Sequence, residues 1–398
     1  MKIAGIIAEY HPFHSGHAHL CGELRARGYT HIAAVMSGNF VQRGECAVLD
    51  KWTRARAALS GGVDLVLELP LPYALATAET FARGGVVSLS ALGCVDALAF
   101  GSECGDASAL LSCARVLLSP RLGEALAVHL AGGVTFAQAR QRAVADMGNE
   151  ELAALLCEPN NTLGVEYCKQ LLLQKCAMEP VAVLRAGAGH DSPAPAAGFA
   201  SGTYLRGFLE AGETAPLVPF VPASALSLYR DALEESRGPV NRDAVELLTL
   251  ARLRGMALPD IAALPDISEG LEHRIFSAAR RARSLEEFYS LVKTKRYTLA
   301  RIRRIACAAL AGLRAQDQRT PPPYLRVLGM NGRGREILAE AKETASLPVS
   351  TSLARLREYS PEAARFAALE ASADDLYHLC LPVRRSCGAD FTENAVIL

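Results

Sequence analysis

Apolar residues in the first half of the chain fall into short unbroken runs separated by longer stretches of helical spacing. Residues 2–8, 31–36, 64–69, 97–100 and 181–184 lack polar alternation, the pattern of strands buried on both faces of a parallel sheet. Between them, residues 17–27, 51–60, 78–92, 107–117 and 165–176 read as helices. Strands alternating with helices predict an α/β fold built on a doubly wound parallel sheet. Beyond residue 215 the apolar positions recur at helical intervals, as in 244–253, and Pro321-Pro322-Pro323 interrupts them. The expected organisation is therefore an α/β domain over 1–215 and a mainly α-helical C-terminal domain over 216–398.

Ligands of such sheets bind at the carboxyl ends of the strands, near the point where strand order reverses. His14 and His17 follow the first predicted strand, Ser37-Gly38-Asn39 the second, Gly101-Ser102-Glu103 the fourth and Arg185-Ala186-Gly187 the fifth. The segment His14-Ser15-Gly16-His17 also opens a helix, whose first N–H groups lack intrahelical partners and whose dipole favours an anion. Two imidazoles three residues apart add side-chain donors for one phosphate, where charge builds during displacement of pyrophosphate. Solvated turn histidines are the structural alternative, which the pairing after a buried N-terminal strand disfavours.

Composition narrows the class. Half of the 398 residues are apolar, enough for a large core or two, and no run of about 18 uncharged apolar residues occurs. The expectation is a soluble cytoplasmic protein with no membrane association. Eleven cysteines without a C-x-x-C pair or a zinc-type spacing predict reduced thiols and no bound metal. Net charge is zero overall, yet residues 274–335 hold 15 Lys or Arg against three acids, a local +12 that leaves −12 elsewhere. Lys293, Lys295, Arg296, Arg301, Arg303 and Arg304 fall within twelve residues, with Tyr289, Tyr297 and Tyr324 nearby. That is the footprint of an RNA-binding segment, with aromatic rings for unpaired bases. The solvated face of a helix is its plain alternative.

The His-x-Gly-His signature resembles that of the nucleotidylyltransferase superfamily, whose members share a Rossmann-like sheet. Longer strings resemble the bacterial tRNA(Met) cytidine acetate ligase family: residues 5–17, 36–45, 50–54, 64–70, 100–103 and 160–167, in the family's order and confined to the first half of the chain. The resemblance implies an enzyme that uses ATP to convert acetate to acetyl-adenylate, then passes the acetyl group to N4 of the wobble cytidine of elongator tRNA(Met). ATP is then a substrate, with Mg2+ admissible beside it, and no protein partner is called for.

On that resemblance Ile7, Ala8, Glu9, Tyr10, His11, Pro12, Phe13, His14, Ser15, Gly16, His17, Ala18, His19 and Leu20 wrap the adenine, ribose and α-phosphate. Gly101, Asn160, Arg185 and Ala186 complete the nucleotide site. Asn160 has an N-capping alternative, which Asn161 shares. Arg43 and Lys51 join His14 and His17 as catalytic groups by neutralising acetate beside the phosphates, unless salt bridges among Glu45, Asp50, Lys51 and Arg54 occupy them. Ser201 and Thr203 occupy the place of the second signature, where Gly202 departs from the family's pattern, and His11 stands where an Asn is expected. A nucleotidylyltransferase making a dinucleotide-type cofactor also accounts for the histidines but leaves the basic segment without a task. An RNA-binding protein with a vestigial nucleotide fold predicts loss of one histidine, and both are present.

Overall fold

The computed structural model describes residues 1–186, 195, 198–268, 270–295 and 297–398. Among the described residues ten strands form: Ile3–Ala8 (β1), His31–Ser37 (β2), Phe40–Val41 (β3), Glu45–Cys46 (β4), Leu65–Leu69 (β5), Ala97–Ser102 (β6), Glu179–Leu184 (β7), Leu325–Met330 (β8), Val349–Ser350 (β9) and Val396–Ile397 (β10). The five strands expected from the sequence are β1, β2, β5, β6 and β7. They lie parallel in the order β5-β2-β1-β6-β7. The chain thus starts at the centre, builds outward through β2 and β5, and returns to the other side of β1 with β6. The carboxyl ends of β1 and β6 flank the crevice this reversal creates.

Absence of alternation has its expected cause in β1, β2, β5 and β6, whereas β7, at the edge of the sheet, is buried only in part and leaves Leu184 exposed. In β5, Leu65, Leu67 and Leu69 enter the core on one face and Val66 the core on the other; in β1, Ile3 and Ile7 divide from Ala4 and Ile6 in the same way. Helices cover both faces. Ala78–Ser90 and Pro159–Leu173 pack on the first core, while Lys51–Ser60 and Ala223–Glu234 pack on the second.

Two features depart from expectation. The sheet does not stop with the first 215 residues: β8 pairs antiparallel with β5, Leu65 opposite Met330 and Glu68 opposite Arg326, and β9 and β10 add to β8. Residues 325–398 therefore share the N-terminal core, with Val327, Ile337 and Phe366 in its first layer. The helical expectation holds for 223–311, where the helices from Arg242–Gly255 to Leu299–Ala311 enclose a separate core around Leu253, Ile275, Phe288 and Ile302. The second departure is a helical insertion, Leu122–Ala131, Phe136–Asp146 and Glu150–Leu155, between the crossover helix after β6 and helix Pro159–Leu173. Among the described residues no helix is long and apolar enough to cross a membrane.

The β5–β8 seam carries a buried charge cluster. Lys51 Nζ lies 2.9 Å from Glu68 Oε1 and 2.6 Å from Asp390 Oδ1, and Arg326 Nη1 lies 2.9 Å from Glu68 Oε2 and 2.8 Å from Asp390 Oδ2. Both cations sit against the Trp52 ring. Two further carboxyls border them. Burial pushes Asp374 up to about 7 and Glu370 well above the usual carboxylate range, so near neutral pH Glu370 is uncharged and Asp374 only partly ionised beside the two cations and two anions.

Candidate active site

The first turn of helix Ser15–Ala26 is built by its two histidines. His14 is the N-cap, and its Nδ1 accepts from Gly16 N at 3.0 Å; His17 Nδ1 accepts in return from His14 N at 3.2 Å. This capping box satisfies two of the helix's free N–H groups, with imidazoles in place of the usual hydroxyl and carboxylate. It also fixes the chemistry of both rings. With Nδ1 accepting, each neutral ring carries its proton on Nε2 and keeps that N–H as a donor. The rings stack with centroids 3.9 Å apart. Burial, reinforced by Arg185 and Arg206, lowers His14 to about 3, and burial together with the neighbouring His14 and Arg185 lowers His17 well below its usual value. Both rings are therefore neutral hydrogen-bond donors at physiological pH.

The turn before them is held rigidly. Tyr10 adopts φ +46°, a left-handed conformation costing about 1–2 kcal/mol for a side chain of its size. Its ring meets Phe13 and His17 edge-on, at 5.1 and 4.9 Å. Buried Arg54 donates to Glu9 O at 2.7 Å, to Ser37 O at 3.0 Å and to Gly38 O, tying the ends of β1 and β2 together.

A cavity of about 230 Å³ opens at the β1/β6 crevice. Of the residues expected to hold nucleotide, Ile7, Ala8, Glu9, Tyr10, His11, Pro12, His14, Gly16, His17, His19, Leu20, Gly101, Asn160, Arg185 and Ala186 line it. Phe13, Ser15 and Ala18 do not. Phe13 is buried behind the turn, its carbonyl accepting from Tyr229 Oη at 2.7 Å, while the Ser15 and Ala18 amides are spent on Phe220 O and His14 O. Gly101 makes room for a side chain as much as for a ligand, since a Cβ there would stand 3.3 Å from Arg185 Cγ.

Arg43 reaches the cavity from the turn between β3 and β4, and Lys51 does not. The expectation of Lys51 as a catalytic group at the phosphates is corrected by the buried cluster described above. Lys51 opens the helix capped by Asp50, whose Oδ1 accepts from Thr53 N at 2.8 Å. That start directs Lys51 toward Glu68 and Asp390 at the β5–β8 seam, 1% exposed. Glu45 and Arg54 form no bridge to it either. Glu45 Oε1 instead faces His11 Nε2 at 3.3 Å and Arg206 Nε at 3.6 Å. Although burial opposes this, His11, Arg206 and Arg43 hold Glu45 down to about 2, and burial lowers His11 to about 4.

Arg206 is the main lining residue that the sequence did not single out. It joins Arg43 and Arg185 as a third guanidinium, donating to His11 O at 3.0 Å and to Thr203 Oγ1 at 2.9 Å. Its spacing of three from Thr203 was the available signal. Phe81, Phe100 and Tyr167 supply an apolar wall from three separate elements, which no local pattern announces. Ser201 takes the N-cap of helix Gly202–Glu210, accepting from Tyr204 N at 3.1 Å. Among the described residues no group of three or more His, Cys, Asp or Glu is arranged to hold a metal ion.

The basic segment divides. Lys293, Lys295 and Arg303 are exposed; Arg301 donates to Asp266 O at 2.7 Å and Ser268 Oγ at 2.7 Å, and Arg304 pairs with Asp266 at 3.3 Å. Arg296 lies outside the described residues. Tyr289 and Tyr297 stand under Arg303 and Arg301, whereas Tyr324 is buried beside the charge cluster and unable to stack on a base. The charge of residues 274–335 is likewise not one surface. Arg326 is core, and Arg333 and Arg335 follow β8, whose antiparallel course carries them to the edge of the sheet opposite the cavity. The cluster around 293–304 does approach the site. The backbone of Arg303 and Arg304 packs on Gly44, next to Arg43.

Residues 1–389 match the family model described as HIGH Nucleotidyl Transferase. A tRNA(Met) cytidine acetate ligase from Alkaliphilus metalliredigens is 40% identical, the match covering 91% of this chain and 89% of that protein. One from Acetivibrio thermocellus is 34% identical with full coverage of both. The crystal structure of Thermotoga maritima TmcAL bound with alpha-thio ATP superposes with a TM-score of 0.92 at 32% identity, covering all of both chains.

Proposed function

Since the chain belongs to the tRNA(Met) cytidine acetate ligases of the HIGH nucleotidyl transferase family, we propose that it condenses acetate with ATP and acetylates N4 of the wobble cytidine of elongator tRNA(Met). In the first step an acetate oxygen attacks the α-phosphorus of ATP, the bond to the β-phosphate's bridging oxygen breaks, and pyrophosphate leaves. In the second the cytidine N4 lone pair attacks the acetyl carbonyl, AMP leaves as the mixed anhydride opens, and N4 gives up a proton. The first step brings two anions together and the second uses a weak nucleophile, so positioning and charge compensation carry both.

His14 and His17 donate their Nε2–H to the α-phosphoryl oxygens as negative charge gathers there. Neutral donors suit this, because the N–H of an uncharged imidazole is too weak an acid to pass its proton to the phosphate. Arg43 and Arg206 compensate the pyrophosphate and the acetate, and Arg185 with Asn160 binds on the β6–β7 side of the nucleotide. Lys293, Lys295 and Arg303, with Tyr289 and Tyr297, receive the tRNA, and the reaction belongs to the cytoplasm. The observation that carries the reading is the neutral histidine pair at a helix N-terminus, facing one cavity with three guanidinium groups.

Incubating the protein with ATP, labelled acetate and bulk bacterial tRNA tests it. Label recovered as N4-acetylcytidine only when ATP is present is the expected result. Pyrophosphate release with no label in RNA would replace the reading with a cofactor-forming nucleotidylyltransferase. RNA binding without turnover would replace it with a non-catalytic one.

A further inference from the structure

We infer that Glu103, just beyond β6, is a positioning residue for the nucleotide: its carboxylate fixes the Asn160 amide and, through it, the Arg185 guanidinium at the rim of the cavity. This rests on reading the cavity as an ATP site.

Helix Pro159–Leu173 follows a helical insertion and begins without a cap of its own. The N-cap position is Glu158, whose side chain makes no capping bond. Glu103 supplies the cap from a distant segment. Its Oε2 accepts from Asn161 N at 2.7 Å, and its Oε1 accepts from Asn160 N at 3.3 Å and from Asn160 Nδ2 at 2.6 Å. A carboxylate at a helix start is favourable whatever lies nearby, and a cap alone would need only the two backbone bonds.

The bond to Asn160 Nδ2 goes further. An ionised carboxylate only accepts, so it dictates that the amide turns its NH2 toward Glu103 and its Oδ1 away. Arg185 Nη1 lies on that other side, 3.5 Å from Asn160 Oδ1. Arg185 is held from behind as well, its backbone N donating to Ser102 O at 3.0 Å and its side chain passing over Gly101. The loop is locked to the helix by a reciprocal bond, Cys104 N to Asn161 Oδ1 at 3.1 Å. The result is a relay of carboxylate, amide and guanidinium, of which only Asn160 and Arg185 reach the cavity. Without the carboxylate the Asn160 amide is free to reverse and turn an NH2 toward Arg185, removing an acceptor from the cavity and repelling the cation.

Calorimetric titration of the full-length protein with ATP alone, on wild type, E103Q, E103A, N160A and the E103A/N160A pair, tests the relay. E103A is expected to weaken ATP binding about tenfold, the scale of one charge-assisted hydrogen bond. E103Q, which keeps one acceptor oxygen, recovers part of it. The effect of E103A should shrink to about twofold or less in the N160A background, as coupled residues require. In turnover, KM for ATP rises while kcat stays within about twofold, a split that loss of stability alone does not give. ATP affinity unchanged while the melting temperature falls would reduce Glu103 to a helix cap and overturn the inference, as would equal losses with and without Asn160. Wild type that binds ATP but shows no acetate-dependent turnover would overturn the proposed function and leave Glu103's role to the titration.

Discussion

At the cavity the decisive property of single residues is which nitrogen of a histidine is engaged. His14 and His17 spend Nδ1 on the helix start, and burial keeps both neutral, with His11 beside them lowered to about 4. A histidine with a depressed folded pKa binds protons in the unfolded chain first. Its contribution is intact above the unfolded value near 6.5 and is lost as pH falls toward the folded value. Between pH 6.5 and 5 each such histidine therefore costs up to about 2 kcal/mol of stability. Thermal melts across that window should show a steep fall in melting temperature that His14→Asn and His17→Asn each make shallower. A wild-type melting temperature independent of pH over the same range would contradict the neutral pair. The histidines themselves were legible from the sequence, because their spacing and the strand before them are local. Glu103 was placed at the binding edge by the strand before it and Phe100 and Tyr167 fell within the resembling strings, but what their side chains and that of Arg206 touch was not legible, since it comes from contacts between elements far apart in the chain. Lys51 shows the converse. Eight residues from Arg43 in sequence, it is turned by the Asp50 cap into a different part of the molecule.

Among the elements, the hairpin of β3 and β4 joins the two halves of the proposed reaction. On one side Gln42 N donates to Glu9 Oε1 at 2.6 Å and Glu45 faces His11 and Arg206. On the other, Phe40 packs in a cluster with Cys307, Ala308 and Leu310 of the basic helix. Gly44 permits the joint: its φ is +79°, and a Cβ would lie 2.5 Å from Arg304 N and 2.6 Å from Arg303 C. Gly44→Ala adds a left-handed penalty of about 1 kcal/mol and must also push a helix backbone aside. Transfer of acetyl to tRNA should fall further than acetate-dependent adenylate formation, because the displaced contact belongs to the segment proposed to receive the RNA. Separate assays of the two half-reactions check this, and equal losses would show that the hairpin serves the nucleotide alone. The strand and helix pattern was readable here wherever burial alone set it. The five parallel strands fall within about two residues of their expected limits. The two-residue strands of the hairpin carry too few positions for any period to register.

For the whole molecule the question is what makes one body of a chain whose two halves have different composition. β8 gives the answer, and it was hidden in the sequence because Arg326 interrupts an otherwise apolar run. A charge in mid-strand argues against burial unless its partners are known, and Glu68 and Asp390 stand 258 and 64 residues away. Once paired, Arg326 is 1% exposed and holds the last 75 or so residues against the sheet. Arg326→Met tests this dependence. Removing the guanidinium leaves Glu68 and Asp390 to share Lys51 alone in a buried seam, and breaking a buried pair from one side costs about 3–5 kcal/mol. A loss of that size, read as a lower urea midpoint at unchanged slope, is expected. Replacing Glu68 by Gln in the same chain should restore part of it, since the orphaned charge and not the missing contact is the larger cost. If Arg326→Met melts like wild type, the seam is held by its apolar layer and not by its charges. With either outcome residues 1–215 expressed alone should show no cooperative melt, because that fragment ends before the strand that covers β5, before Val327, Ile337 and Phe366 that complete the core, and before the guanidinium that compensates Glu68.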